Sequence, residues 1–424
     1  MKPRSRRGHF SDFAEAVMEN TDRIVALVLA GGEGARLHPL TSHRSKPAVP
    51  FGGKYRLVDF VISNLINSSV DLIYVLVQYK SQSLIEHLHK SWETSRVSTG
   101  FVMEVPPQRH LGDDWFQGTA NAVYQNLELL DRHQSDLVAV FGSDHVYRMD
   151  VRQMAEFHCA NDADITVAAR SVPLAEATSF GVLETDEAGR ICAFREKPAQ
   201  PKPMPGDSGR AYVSMGNYLF KTEKLRSIVE EAHQRKEVDF GSEILPRLFQ
   251  THRMLAYDFT SNRVPGTKAY EETAYWRDVG TLESYWKAHL DLLGQKPLFD
   301  LFNPHWPVRS SRYDGPCAKI VGLCVEDSLI GSGCWVGAAS VRRSIVGREV
   351  VLEEGVELDE CIILDYVKIG KGSKLRRTVV DKKNIIEPGS RIGFDREQDA
   401  QHYYVDASGI TVVPRGNRPV GLIY

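Results

Sequence analysis

A glycine-rich segment directly after a short apolar run is the first place where residue types and spacing point to chemistry. The run 24–30 reads IVALVLA and is followed by Gly31, Gly32 and Gly34. Glycines at a strand end let the backbone turn sharply and present several N–H groups together, which suits phosphate oxygens. The segment is not a Walker loop, because no GK[ST] follows, and not a dinucleotide fingerprint, because Leu37 stands where the third glycine belongs.

Two cations follow these glycines. Arg36 lies just after Gly34, and Lys46 comes next to Pro47 in a run of basic residues and prolines. Arginine offers a planar fork to a phosphate, and lysine adds a mobile point charge. The glycines alone are equally consistent with a tight turn that binds nothing, but together with both cations they predict a polyphosphate site.

A carboxylate follows another apolar run. Asp144 comes directly after LVAVFG at 137–142 and Ser143. At the carboxyl end of a buried strand, Asp144 is well placed to hold Mg²⁺. The alternative is that it caps the N-terminus of a following helix.

The elements that must position these residues alternate in the first two-thirds of the chain. Short apolar runs at 24–30, 72–78, 137–142 and 165–169 predict buried strands. Helical spacing between them is kept by Val58, Val61, Ile62 and Leu65, and again by Ala120, Val123, Leu127 and Leu130. This order predicts an α/β domain with a mostly parallel sheet and helices on both faces. Ligands of such sheets bind at the carboxyl ends of the strands.

A second rhythm begins near residue 317. Single apolar residues from Ile330 to Val367 recur every few positions, with IGSG and IGKG among them. This spacing fits neither a helix nor simple alternation and predicts a β-helix, with an ordinary antiparallel β domain as the alternative. We expect a basic, disordered tail at 1–21, a catalytic domain at 22–296, a linker at 297–316 that wraps rather than dangles, and the β-helix at 317–424.

Composition limits the class of protein. The chain has 424 residues and a formal net charge of −3, which argues against nucleic acid or acidic membranes as partners. No run approaches the roughly 20 apolar residues that span a bilayer, and no apolar segment follows the basic N-terminus as in a signal peptide. The six cysteines have no metal-like spacing and are predicted to be buried free thiols in a reducing cytoplasm.

The motifs in combination resemble one family. The stretch GGEGARLHPLTSHRSKPAVPFGGKYRLVDF, then GTANAVYQN, SDHVYRMD, EKPAQP, DFGSEILP and YWRDVGTLESYW, is similar to the nucleoside-diphosphate-sugar pyrophosphorylases, and more narrowly to the bacterial ADP-glucose pyrophosphorylases. The resemblance implies a nucleotidyltransferase domain followed by a left-handed β-helix. It also implies that ATP and glucose 1-phosphate give ADP-glucose and pyrophosphate with Mg²⁺, for glycogen synthesis, in a cytoplasmic homotetramer.

The resemblance also assigns roles to individual residues. Asp144 and Asp278 would hold the metal, with a turn aspartate as the alternative for Asp278. Arg36 would bind the β- and γ-phosphates and Lys46 the triphosphate region. The expected ATP contacts are Ala30, Gly31, Gly32, Gly34, Gln108, Gly118 and Thr119, with Gln108 and 118–120 facing the adenine and helix N–H groups after Gly118 open to an acceptor. The expected contacts of glucose 1-phosphate are Gly181, Glu196, Lys197, Ser214 and Asp278.

Several positions depart from the family pattern. Ser143 stands where a glycine is usual, which could shift the metal geometry, and Asn121 stands where an aspartate is usual. His43 and Pro50 replace a lysine and a histidine that help bind a sugar-phosphate activator in many bacterial members. A neutral imidazole and a proline cannot replace those groups, so we expect a weak or altered response to sugar bisphosphates. The candidate effector residues are His43, Arg44, Arg56, Arg376, Arg415 and Arg418.

Three alternatives remain open on the sequence. One is a sugar pyrophosphorylase that uses UTP or dTTP. Another is a noncatalytic paralogue that binds sugar phosphates and modulates a partner. The third is an acyltransferase in the β-helix, which lacks support because His402 is the only histidine beyond 305.

Overall fold

The apolar runs of the first two-thirds build one sheet. The computed structural model describes residues 24–92, 100–108, 115–322 and 324–418, so the expectation for 1–21 lies outside the described residues. The strands of this part are β1 Ile24–Ala30, β2 Pro50–Phe51, β3 Tyr55–Arg56, β4 Leu72–Val77, β5 Phe101–Val105, β6 Leu137–Gly142, β7 His145–Tyr147, β8 Ile165–Pro173, β9 Gly181–Thr185, β10 Ile191–Glu196, β11 Arg210–Lys221, β12 Met254–Asp258 and β13 Trp276–Asp278.

The order of the strands puts β1 in the middle of the sheet. The main order is β10-β9-β11-β6-β1-β4-β5, with β8 beside β11 and β12 beside β8. Strands β6, β1, β4 and β5 run parallel, as predicted, and β11 joins β6 antiparallel. Val25 and Leu27 pack into the core on one face of the sheet, and Ala26 and Val28 into the core on the other. Burial on both faces explains why β1 is a continuous apolar run.

The helices cover both faces of this sheet. They are α1 Leu57–Asn67, α2 Gln82–Ser91, α3 Thr119–Tyr124, α4 Glu128–Asp131, α5 Val151–Ala160, α6 Leu174–Ala177, α7 Thr222–Arg235, α8 Leu245–Leu248 and α9 Leu282–Leu290. The predicted helical pattern from Ala120 to Leu130 is split into α3 and α4. The side-chain Nδ2 of Asn126 donates to Ala122 O at 2.7 Å, the carbonyl that its own backbone N–H would bond in a continuing helix.

The C-terminal part is a left-handed β-helix of three sheets. Its elements are β14 Lys319–Ile320, β15 Cys324–Glu326, β16 Leu329–Ile330, β17 Trp335–Val336, β18 Ser340–Arg342, β19 Ile345–Val346, β20 Val351–Leu352, β21 Glu357–Asp359, β22 Ile362–Ile363, β23 Lys368–Ile369, β24 Lys374–Arg376, β25 Thr378–Val380, β26 Ile385–Ile386, β27 Arg391–Ile392, α10 Arg396–Ala400, β28 Tyr404–Val405 and β29 Thr411–Val413. Each coil adds one parallel strand to each sheet. The recurring apolar residues stack inside, among them Val336, Leu352 and Ile369.

The segment between the two parts lies along α1. Asn67 Nδ2 donates to Pro307 O at 3.0 Å, and Arg309 N donates to Ser63 Oγ at 2.8 Å. A third core joins the two parts directly, because Phe51 and Tyr285 pack in one cluster with β-helix residues such as Ile362. The two parts therefore share a buried boundary.

The cysteines and the helices test two expectations drawn from the composition of the chain. All six cysteines are unpaired, but only Cys334 and Cys361 are buried, so the prediction of buried thiols is wrong for Cys159, Cys192, Cys317 and Cys324. These four are exposed, Cys317 in the segment before β14 and the others on α5, β10 and β15, which spacing alone did not reveal. Within the described ranges, no helix has the length and apolar character needed to cross a bilayer.

Candidate active site

A cavity of about 560 Å³ opens at the carboxyl ends of β1, β4 and β6. Parallel strands β6, β1 and β4 are neighbours, so the loops that follow them meet at one edge of the sheet. The cavity brings together many of the residues predicted from sequence: Ala30, Gly31, Gly32, Lys46, Gly118, Thr119, Asp144 and Glu196. The predicted residues outside its lining are Gly34, Arg36, Gln108, Gly181, Lys197, Ser214 and Asp278.

The glycine loop packs against Lys46. Gly34 has φ +65°, and a Cβ at this position would lie 2.7 Å from the Cβ of Lys46. Thr41 Oγ1 donates to Gly34 O at 3.1 Å and fixes the turn. A side chain at Gly34 would therefore displace the lysine. Arg36 lies in the next turn, exposed, with a guanidinium nitrogen 3.1 Å from where a Cβ of Gly280 would stand.

Lys46 bridges the two predicted metal-binding carboxylates. Its Nζ donates to Asp144 Oδ2 at 2.8 Å and to Asp278 Oδ1 at 3.0 Å. The short antiparallel pair of β7 and β13 brings the aspartates together, since His145 lies opposite Asp278 in the register. Asp144 does not cap a helix, which settles the alternative raised by the sequence, because Asp150 caps α5 by accepting from Arg152 N.

These contacts shift the pKa values of Asp144 and Lys46. Burial tends to raise the pKa of Asp144, but Lys46 and His145 outweigh it and hold that pKa well below its usual range. Burial tends to lower the pKa of Lys46, and the two aspartates outweigh it and raise that pKa. Both groups are charged at neutral pH.

The donor set fits a divalent cation. Ligand atoms of Asp144, His145 and Asp278 lie within 4.8 Å of one another. Their side chains keep 32%, 14% and 23% of their surface exposed, and Asp144 and His145 line the cavity. Carboxylates with room for water and phosphate oxygens are the usual protein partners of Mg²⁺.

The predicted sugar-phosphate residues gather at the end of β10. Lys197 Nζ lies 2.8 Å from Glu196 Oε1, and the backbone of Lys197 is in the left-handed region at φ 45°. A Cβ at Gly181 would stand 2.7 Å from the ring of Phe194 and 2.9 Å from Glu196 Oε2. Gly181 therefore lets Glu196 approach the strand. Ser214 Oγ accepts from Gly216 N at 3.1 Å within β11.

The loop before α3 differs from the sequence expectation. The N–H groups of Ala120 and Asn121 both donate to Val238 O, at 2.9 and 3.2 Å. They are therefore not available to an anion or a ring nitrogen, and that part of the prediction is wrong. Gln108 is exposed, and its side chain donates to Pro106 O at 2.9 Å.

The two departures near the site are accommodated by local hydrogen bonds. Ser143 Oγ donates to Leu29 O at 2.6 Å, which ties the end of β6 to β1. Asn121 Oδ1 accepts from Gln117 N at 3.1 Å and from Gln125 Nε2 at 2.9 Å, so it orders the loop in front of α3.

Several residues that line the cavity carried no sequence signal that we interpreted. They are Glu33, Gln78, His145, Gly216, Tyr218, Asp239, Phe240 and Gly241. Gln78 Nε2 donates to Phe116 O at 3.1 Å, while its buried Oε1 has no partner. The position of Gln78 as the last residue of the run 72–78 was the available signal, because the carboxyl ends of parallel strands meet at this edge.

The candidate effector residues are only partly brought together. Arg44 is 2% exposed and donates to both oxygens of Asp381 in the β-helix, at 2.9 and 3.0 Å. Arg56 donates to Ala48 O and Ser83, and burial with nearby Arg44 lowers its pKa to about 10. His43 and Arg376 are exposed, Arg415 is half-buried, and Arg418 is buried with its NH1 3.5 Å from Tyr366 O.

Lys382 joins these arginines, although the sequence analysis did not single it out. Its Nζ lies 2.7 Å from Asp365 Oδ2. Burial, together with Arg56 and Arg44, outweighs Asp365 and lowers the pKa of Lys382 to about 8. We define the junction cluster as Arg44, Arg56, Arg348, Lys382, Asp365 and Asp381.

Comparison with known proteins gives the family. Residues 25–295 match the model of the nucleotidyl transferase family, and residues 318–413 match a GlmU-like, C-terminal hexapeptide model. The glucose-1-phosphate adenylyltransferase of Thermodesulfovibrio yellowstonii is 50% identical over 93% of this chain and 97% of its own length. The glucose-1-phosphate adenylyltransferase 1 of Vibrio parahaemolyticus is 44% identical over 93% of this chain and 98% of its own. The Corynebacterium jeikeium enzyme of the same name is 41% identical over the same shares. With its sheet, its β-helix and its paired aspartates beside a glycine loop, the chain belongs to the glucose-1-phosphate adenylyltransferases of the nucleotidyl transferase family.

Proposed function

We propose that the chain joins ATP and glucose 1-phosphate to give ADP-glucose and pyrophosphate. The observation that carries this proposal is the bridge from Lys46 to Asp144 and Asp278 at the mouth of a glycine-lined cavity. The arrangement presents cations and metal-binding carboxylates to one place, which is what the meeting of two polyanions requires. The names of the relatives support the same substrates.

The reaction needs alignment more than a base. A phosphate oxygen of glucose 1-phosphate bonds to the α-phosphorus of ATP, and the bond between that phosphorus and the β-phosphate oxygen breaks. Both phosphates are already ionised, so little proton transfer is left for a side chain. Lys46 and Arg36 balance the charge of the triphosphate, and Gly31 and Gly32 let the phosphates approach the backbone.

Asp144 and Asp278 would hold Mg²⁺ in this reaction. When bound, Mg²⁺ supplies charge neutralisation on the phosphates. Lys46 keeps the two carboxylates within reach of one ligand, since its ammonium contacts both. The fit is supported by the exposed carboxylate surface described above.

Glucose 1-phosphate would occupy the side of the cavity near Glu196. Lys197 would bind the phosphate and Glu196 would accept hydrogen bonds from sugar hydroxyls. Gly181 permits this position of Glu196, because a larger residue would collide with Phe194 and the carboxylate. Ser214 remains a proposed contact on β11.

The reaction is tested by following pyrophosphate release with glucose 1-phosphate and Mg²⁺, comparing ATP, UTP and dTTP. We expect release with ATP, and loss of at least about 10³-fold in the Asp144→Asn control. Pyrophosphate release with UTP or dTTP but not with ATP would show that the nucleotide substrate is not ATP. Silence with every nucleotide, in a protein that still binds glucose 1-phosphate, would favour a regulatory paralogue.

We also propose that anionic effectors act at the junction cluster and that their action is weak or altered. Arg44 already donates from Nη2 to both oxygens of Asp381, so a carboxylate of the protein takes up one of its guanidinium nitrogens. Its remaining NH1 is buried without a partner. Activation of many-fold by fructose 1,6-bisphosphate would contradict this proposal.

A homotetramer is the proposed assembly. The first coil of the β-helix exposes Ile320, Val321 and Val325 at 50%, 49% and 43%. Strands β14, β15 and β16 are also the ends of their sheets, where an open strand edge invites pairing. Light scattering on the purified protein, whose chain mass is 47.6 kDa, measures the number of subunits.

A further inference from the structure

Two segments that line the cavity are joined by the hydroxyl of Thr119. Residues 116–119 form one of these segments and 239–241 the other, and Glu196 also lines the cavity. Thr119 Oγ1 donates to Asp239 Oδ2 at 2.9 Å and accepts from Phe240 N at 3.0 Å. The hydroxyl hydrogen of Thr119 is therefore used by Asp239 and is not free for a nucleotide, and one acceptor position of the hydroxyl oxygen is used by Phe240 N.

The backbones of the two segments are joined at the same place. Val238 O accepts from both Ala120 N and Asn121 N. A Cβ at Gly118 would lie 2.4 Å from Val238 O, so Gly118 is required by this approach. Movement of one segment must therefore move the other or break these bonds.

Asp239 is held from both segments. Its Oδ1 accepts from the N and Oγ of Ser242, both at 2.9 Å, within its own segment. Its Oδ2 accepts from Thr119 of the opposite segment. The next residue but one, Gly241, lies close to Glu196, with Oε2 3.6 Å from a Cβ built on the glycine. The chain of contacts runs from the nucleotide loop to the proposed sugar side.

We propose that Thr119 is a positioning residue that couples the two substrate subsites by setting Asp239 and Phe240. This inference rests on the proposed function for the identity of the two substrates. A nucleotide that orders residues 116–119 would then order 239–241, and by linkage glucose 1-phosphate would favour nucleotide binding equally. The sequence assignment of Thr119 to ATP is replaced by an effect on the sugar phosphate.

The test uses Thr119→Val, which removes the hydroxyl at nearly constant shape, with Thr119→Ser as the conservative variant. Calorimetry measures the affinity for glucose 1-phosphate with and without a non-reactive ATP analogue and Mg²⁺. We expect the analogue to raise the affinity about tenfold in the wild type and in Thr119→Ser. In Thr119→Val this factor should fall to about twofold. By the same linkage, the affinity for the ATP analogue measured at saturating glucose 1-phosphate should fall by the same factor, about fivefold, as the affinity for glucose 1-phosphate measured at saturating analogue.

The matched control is Ser242→Ala. This substitution removes a hydroxyl that also donates to the carboxylate of Asp239, but from within the same segment and not across from 116–119. It should leave the coupling factor unchanged. A raised KM for ATP alone in Thr119→Val, or an unchanged coupling factor, would overturn the inference. If the wild type binds neither ligand, the proposed function fails first, so the two failures are distinguishable. Circular dichroism and the melting temperature verify that Thr119→Val is folded.

Discussion

The cavity and the junction cluster both place a buried cation against carboxylates, but they leave different surfaces open. In the cavity, Lys46 contacts Asp144 and Asp278, whose side chains are 32% and 23% exposed. At the junction, Arg44 contacts Asp381, which is 1% exposed. The first carboxylates can still bind a ligand on their free side, whereas the second is enclosed by the protein.

This difference separates charges that keep an open face from a charge pair that the protein encloses. A charge that keeps an open face can exchange its protein partners for substrate. When one member of an enclosed pair is removed, the other is left buried without a partner, and the folded protein loses stability. The cavity should therefore respond to substitution in rate, and the junction in stability. The pair Lys46 and Arg44 offers the most direct comparison.

The largest effect is expected from Lys46→Met. The substitution keeps an unbranched side chain and removes the ammonium that contacts Asp144 and Asp278 and that we propose balances the charge of the triphosphate. We expect kcat for pyrophosphate release to fall by about 10²–10³-fold, because a preorganised cation at the reacting phosphates is lost. Lys46→Arg is the control for charge. If kcat of Lys46→Met stays within about twofold of the wild type, Lys46 has no part in the proposed mechanism.

Arg44→Met should have the opposite profile. It leaves Asp381 buried without the guanidinium that donates to both of its oxygens, which costs about 3 kcal/mol of stability. The melting temperature and the urea midpoint measure the loss, while the folded fraction should keep most of its rate. Arg44→Met combined with Asp381→Asn should recover part of the stability. A stable variant with a large loss of kcat would instead place Arg44 in the reaction.

The sequence predicted the sheet and part of the cavity for one physical reason. Strand β1 was bounded at residues 24 and 30, as found, because burial on both faces leaves a continuous apolar run. Since parallel strands end at one edge, the residues after β1 and β6 had to meet. That geometry brings Gly32, Lys46 and Asp144 together without any knowledge of side chains.

Contacts between distant segments could not be predicted in this way. Asp381 lies 337 residues from Arg44, and Asp239 lies 120 residues from Thr119. No periodicity reports such pairs, because each member looks like an ordinary polar residue in its own segment. For the same reason Lys382 was missed, and Gly118 was predicted to expose N–H groups that the structure gives to Val238.

Two glycines test the proposed assignment of the nucleotide to the glycine loop and of the sugar phosphate to the end of β10. A Cβ on Gly32 would meet nothing within 4 Å, whereas one on Gly181 would meet Phe194 and Glu196. Gly32→Ala should therefore leave the melting temperature unchanged and raise KM for ATP by about tenfold, through contact with the phosphates alone. Gly181→Ala should raise KM for glucose 1-phosphate instead. The same KM changing in both variants would contradict the assignment.

The smallest effect concerns Lys382 and pH. Burial and the nearby arginines lower the pKa of Lys382 to about 8, from 10.5 for a free lysine, so its charge costs stability in full below pH 8. That cost is recovered as pH rises from about 8 to 10.5, the range in which the unfolded chain holds the proton and the folded protein does not. An anion at the junction cluster needs the charged form, so its affinity should fall as pH increases.

Sulfate is a suitable probe, because its charge is constant between pH 7 and 9. We expect its affinity, measured by calorimetry, to fall by about tenfold over this range as Lys382 loses its proton. Lys382→Met should bind sulfate more weakly at pH 7 and show a flat profile. An equal decline in both proteins would assign the titration to another group. Sulfate binding that depends on Lys382 would also show that the enclosed charges of the junction cluster still exchange with an anion from solution. The junction cluster and the cavity would then differ only in how readily their charges bind an external ligand.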